Sequence, residues 1–171
     1  MTINRPLLVA LVLAANLSLA HAQSSGAQSA PSSISLPDAR AIIENAMSYA
    51  RSSTKSLMTV VVLDNAGHLV SLDRMDGASF HLEKFARGKA FLALITRRNT
   101  QDAADLAKTR PDRYFGIMGM YPGEVYMVGG GLPIVTDGKL VGAVGIAGLP
   151  QGMDEKAGQA GIDALQRSRK P

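Results

Sequence analysis

Two short turns, Asp64-Asn65-Ala66-Gly67 and Asp137-Gly138-Lys139, constrain this chain more than any other feature. Extended runs flank each: Met58 to Leu63 and His68 to Leu72 around the first, Leu132 to Val135 and Leu140 to Ala147 around the second. Asp, Asn and Gly adopt the backbone angles a tight turn needs, so each pair of runs reads as a hairpin. Hairpins pair their strands antiparallel, which favours an antiparallel sheet over a parallel α/β array. Helical signals fill the rest. Ser35 caps, Pro37 fits the first turn and Asp38 suits the positive end of the dipole of a helix running to about Arg51. Ser79 opens a second helix to Arg97, and Thr100 a shorter one to about Thr109 that Pro111 stops. Residues 110–124 read as a loop, Glu124 to Val128 as a short strand, and Asp154 to Arg167 as the closing helix. The order α-β-β-α-α-β-β-β-α predicts an α+β domain, a sheet covered by helices.

The ends of the chain point to export. Arg5 precedes an apolar run from Leu7 to Ala15, and Ala20-His21-Ala22 places small residues where a signal peptidase cuts, after Ala22. That run is too short for a permanent span, which needs roughly 20 apolar residues. Residues 1–22 read as a signal peptide, and residues 23–33 (QSSGAQSAPSS), without a large apolar group, as a flexible tether. One domain follows over 34–171, in a periplasmic or secreted protein with no permanent membrane span. Cysteine is absent, which excludes disulfides, thiolate metal sites and cysteine nucleophiles. Processing leaves a formal charge of +3 in place of +4, because Arg5 departs, and no Lys/Arg run suggests nucleic acid.

The wording of the core segments is that of a known family. Val60-Val61-Val62-Leu63-Asp64-Asn65-Ala66-Gly67-His68-Leu69-Val70, then Arg74-Met75-Asp76-Gly77-Ala78, resembles the GlcG/HbpS family of haem-binding-type proteins. Lys89-Ala90, Gly130-Gly131-Leu132-Pro133-Ile134, Gly142 to Gly148, Asp154-Glu155 and Ala160-Gly161 follow in the family's order and spacing. The resemblance spans Leu36 to Leu165. It implies a profilin-like fold with a five-stranded antiparallel sheet, self-association into oligomers, and haem as the ligand of exported members. A corrinoid is the second choice, because a related domain is fused to corrinoid-handling enzymes. Residues 97–124 depart from the family, being more charged and richer in Met and Tyr.

Candidate ligand residues follow. At about 100° per residue, Lys89 falls on the apolar stripe of Leu82, Phe85, Ala86, Ala93 and Thr96. A cation there needs a partner: a ligand carboxylate such as a haem propionate, or a buried acid such as Asp73 or Asp76. Arg74 supplies a second positive charge. Of the two histidines left after processing, His68 follows a turn and reads as structural, while His81 in the first turn of the second helix is the candidate iron ligand. Tyr114, Met118 and Tyr121, with Met120, Tyr126 and Met127, offer alternative axial groups and a flat apolar wall, or else fill a core. Gly130 and Gly131 lack the following Lys-Ser/Thr of a phosphate loop and read as a loop that lets backbone pass close to another chain or a ligand. Asp154-Glu155 and Asp102/Asp105 are explained as charges at helix starts. Neither G-x-S-x-G nor H-E-x-x-H occurs. No catalytic residue is assigned, and the chain reads as a tetrapyrrole binder rather than an enzyme. A small-molecule enzyme, or an accessory protein of the same fold without haem, is the alternative.

Overall fold

The computed structural model describes residues 33–169. The expected signal peptide, and the tether apart from Ser33, lie outside the described residues. The elements are α1 (Leu36–Ser53), β1 (Thr59–Asp64), β2 (Leu69–Arg74), α2 (Leu82–Thr96), α3 (Thr100–Ala107), α4 (Pro111–Met120), β3 (Gly131–Thr136), β4 (Lys139–Ala147) and α5 (Met153–Ser168). Both hairpins form, and β1 and β4 pair antiparallel between them, so the sheet order is β2-β1-β4-β3. The fold is α+β.

Strand alternation sorts the sheet into two faces. Val60 and Val62 of β1, Leu132 and Ile134 of β3 and Val144 and Ile146 of β4 pack against α1 and α5. Val61, Leu63, Ala143 and Ala147 face α2 through Ala86, Ala90 and Ala93. Behind α2, Leu92 meets Ala103 of α3 and Tyr114 of α4. Each fully buried Val, Leu or Ile contributes about 1.5–3 kcal/mol, so the two faces hold most of the stability. Ala86, Ala90, Ala93, Ala143 and Ala147, with Gly145 between them, let α2 lie close against the strands.

Local chemistry sets the ends of the elements. Ser35 Oγ accepts from the Asp38 amide at 3.3 Å and caps α1. In the first hairpin, Asp64 Oδ1 accepts from the amides of Ala66 (2.9 Å) and His68 (2.8 Å), and Gly67 takes φ +88°. Burial pushes the Asp64 carboxyl up, but those amides and the His68 ring outweigh it and hold the group below its ordinary value.

Two expectations are corrected. The sheet has four strands among the described residues, not five. The segment 124–128 leaves the sheet and lies on α2, where the Tyr126 amide donates to the Gly88 carbonyl at 3.2 Å. Edge strand β3 offers a further strand little, because Pro133 has no amide proton to give. The second correction is α4: residues 111–120, expected as loop, are helical. Pro111 both ends the previous helix and serves as the first residue of the next, with Asp112 in its first turn. Gly116 and Gly119 sit in that helix with no atom within 4 Å of an added Cβ. Changing either to alanine should stabilise the protein by about 0.5–1 kcal/mol, read as a higher urea midpoint. A fall in the midpoint would show that α4 does not pack as described.

Candidate functional site

The head of α2 is built by the turn after β2. Gly77 takes φ +83°, the Ala78 amide closes on the Met75 carbonyl, and Arg74 Nη1 donates to the Ala78 carbonyl at 2.5 Å. Arg74 thus shapes the turn that delivers Ser79, Phe80 and His81. His81 stands at the start of α2, exposed, and makes no capping bond. Its Nδ1 lies 2.8 Å from Ser79 Oγ. With the proton on Nδ1 donated to that hydroxyl, Nε2 carries a free lone pair, the form in which a histidine binds a metal. Among the described residues Nε2 has no partner.

Aromatic rings surround this imidazole. Phe80 meets it edge-on at 5.8 Å and is 86% exposed. Phe85, one turn along α2, meets it at 5.2 Å, and Tyr126 stacks on Phe85 at 4.5 Å with 11° between the planes. Tyr126 reaches this place because Gly88 has no side chain: a Cβ there would lie 3.0 Å from the Tyr126 backbone nitrogen. An imidazole and three rings therefore form one half-exposed face.

Lys89 lies one further turn along the helix and is 3% exposed. Its Nζ donates to Asp154 Oδ2 at 2.6 Å and to the Ile146 carbonyl at 2.9 Å. The partner is neither Asp73 nor Asp76, both exposed, but the acid that the sequence assigned to the start of α5. The other oxygen of Asp154 accepts from the Leu149 amide at 3.0 Å. Burial pushes the Asp154 carboxyl above its ordinary value, against the pull of Lys89 and of that amide. Gly130, at φ +115°, passes beside the pair, and the Gly131 amide donates to Thr100 Oγ1 at 2.9 Å. A Cβ on Gly130 would stand 2.6 Å from that of Asp154. These glycines let backbone run close to Lys89, Asp154 and Thr100 of the same chain, whereas their pattern suggested an approach to another chain or a ligand.

The structure thus brings Lys89, Gly130 and Gly131 into one cluster, and joins it to His81 only through Tyr126, whose ring centre is 6.0 Å from Lys89 Nζ. Tyr114 is 3% exposed and belongs to the core behind α2. Met118 is exposed on α4 and lines, with Tyr114, Phe115 and Met127, a hollow of about 40 Å³, too small for a macrocycle. Tyr121 packs edge-on against Phe91 at 5.2 Å. His68 is exposed beside Asp64, 3.3 Å from its Oδ2. Sequence reasoning missed Ser79, Phe80 and Phe85 at His81, though Phe85 at i+4 was a readable signal. No group of three His, Cys, Asp or Glu side chains placed to hold a metal occurs among the described residues.

Fold and site together define a small α+β domain that presents an imidazole among aromatic rings at the head of its central helix. The chain belongs to the HbpS-like family, described as haem-degrading proteins, which matches residues 34–163. It is 29% identical to the protein GlcG of Escherichia coli K12 over 109 residues, 64% of this chain and 77% of that one. The crystal structure of HbpS is similar at a TM-score of 0.70 and 27% identity, over 82% of this chain and 95% of that one. The crystal structure of a PduOC–haem complex is similar at 0.69 and 26% identity, over 77% and 94%.

Proposed function

We propose that this protein binds haem, or failing that a corrinoid, on the face formed by His81, Phe80, Phe85 and Tyr126. In this reading it is exported and self-associating, and acts in haem capture, storage or redox sensing. One observation carries the reading: the exposed His81 imidazole, its Nδ1 tied to Ser79 and its Nε2 free, stands among three rings suited to a flat apolar ligand. The similarity to a haem complex supports it. Export rests on the sequence of residues 1–22.

The residues present fit such a group. His81 would supply the axial nitrogen, and Phe80, Phe85 and Tyr126 the apolar wall. Haem when bound supplies an iron whose potential its axial ligand and surroundings tune. Tyr114 is too buried to reach it, and Lys89 and Arg74 act in this structure on Asp154 and on the Ala78 carbonyl.

A haem titration followed in the Soret region tests the reading. Wild type should give a saturable, shifted band, and His81→Ala should bind at least about tenfold more weakly, a loss of about 1.4 kcal/mol. The fold should survive, because His81 is exposed and caps nothing. A band no different from free haem would sink the proposal. The family's description favours a second reading, breakdown of the bound haem. Loss of the Soret band when a reductant and oxygen are added would support it.

A further inference from the structure

Next to the His81 face, a separate hollow of about 210 Å³ opens on the outer stripe of α2. Lys84, Arg87 and Phe91 line it from the helix, at i, i+3 and i+7 and thus on one side. Gly67 of the first hairpin turn forms one wall, and Gly123 and Glu124 the other. Both wall glycines take positive φ, +88° and +76°, and a Cβ on Gly123 would stand 3.8 Å from Lys84 Nζ. The Phe91 ring floors the hollow, braced edge-on by Tyr121 at 5.2 Å.

The charges here are uncommitted. Lys84, Arg87 and Glu124 have no ion-pair partner among the described residues, whereas Lys89 is taken by Asp154 and Arg74 is bound to the Ala78 carbonyl. Two cations and one acid leave a net positive charge of one, suited to a monoanion rather than a polyphosphate. A guanidinium fork matches a carboxylate, and an aromatic floor matches a flat apolar body. We infer that this hollow binds the carboxylate of a flat, apolar acid through Lys84 and Arg87. The acid is either a free small aromatic carboxylate or the side-chain carboxylate of a tetrapyrrole held nearby. The first source makes no use of the haem proposal, and the second rests on it.

The full chain and its Lys84→Gln/Arg87→Gln double variant separate these cases. Each is titrated with benzoate, followed by amide chemical shifts, and in parallel with haem and with haem dimethyl ester, followed in the Soret region. Saturable benzoate shifts at Gly67, Phe91 and Gly123, with a roughly millimolar Kd that the double variant weakens about tenfold, establish the site for a free acid. Silence with benzoate, together with a double variant about tenfold weaker for haem but unchanged for the ester, establishes it for a tetrapyrrole carboxylate. A double variant equal to wild type in all titrations overturns the inference, as does a wild type that binds none of the three probes. Benzoate binding by a wild type that ignores haem would leave the hollow standing and remove the haem proposal.

Discussion

Changing Gly145 to alanine should be among the most damaging single substitutions in the domain, costing about 3 kcal/mol or more. Gly145 sits in the middle of β4, paired with Val61 on one side and Gly131 on the other. A Cβ there would overlap the Ala86 carbonyl and stand 2.6 Å from the Ala90 amide. These are backbone atoms of α2, so no rotamer change relieves the clash and the helix must lift off the sheet. Lifting it opens the layer of Ala143, Ala147, Ala90 and Ala93, whose small side chains cannot refill the gap. The measurement is the urea midpoint, with far-ultraviolet circular dichroism to show whether the variant folds at all. Gly145→Ala melting with wild type would mean that α2 does not lie where it is described.

Lys89→Met should cost about 3 kcal/mol at neutral pH and much less in acid. A buried ion pair gives little net stability, but removing one partner strands the other without compensation. Here the stranded group is Asp154, whose carboxyl burial already pushes up and whose main opposing influence is Lys89. A carboxyl with a raised folded-state pKa contributes stability that is full below its unfolded value of 3.8 and is lost as pH rises through the folded value. The variant should therefore approach wild type near about pH 4 and fall behind it as pH rises. Adding Asp154→Ala should recover part of the loss, since no unpaired charge is then left inside. Urea melts of the three proteins across that range decide it. A Lys89→Met protein with wild-type stability at every pH would contradict the pairing.

That pair also shows how far the sequence could be read. Helical spacing put Lys89 on the apolar side of α2 and required a partner, which is correct. The partner lies 65 residues away at the start of α5, a separation that no local pattern reports. Asp154 looked like an ordinary helix-start acid because its own neighbourhood explains it well enough. Turn chemistry was more legible: both hairpins form, because Asp64 and Gly67, and Asp137 and Gly138, act within a few residues of themselves. Helix α4 was hidden by Gly116 and Gly119, which lower helix propensity, and by a proline read only as a stop. The segment 124–128 carries strand-forming residues, yet its place is decided by the gap at Gly88 on α2. His81 was singled out as a candidate from its position on the helix. Its setting was not, because Tyr126 arrives from that same non-local segment.

In the proposed function, a flat iron macrocycle is held at the head of α2 through His81. A crystal structure of the protein with haem tests it most directly. The expected result is iron bound to His81 Nε2, with Ser79 still on Nδ1 and the ring against Phe85 and Tyr126. Haem ligated by Met118 or Tyr121 with His81 free, or seated away from α2, would contradict it.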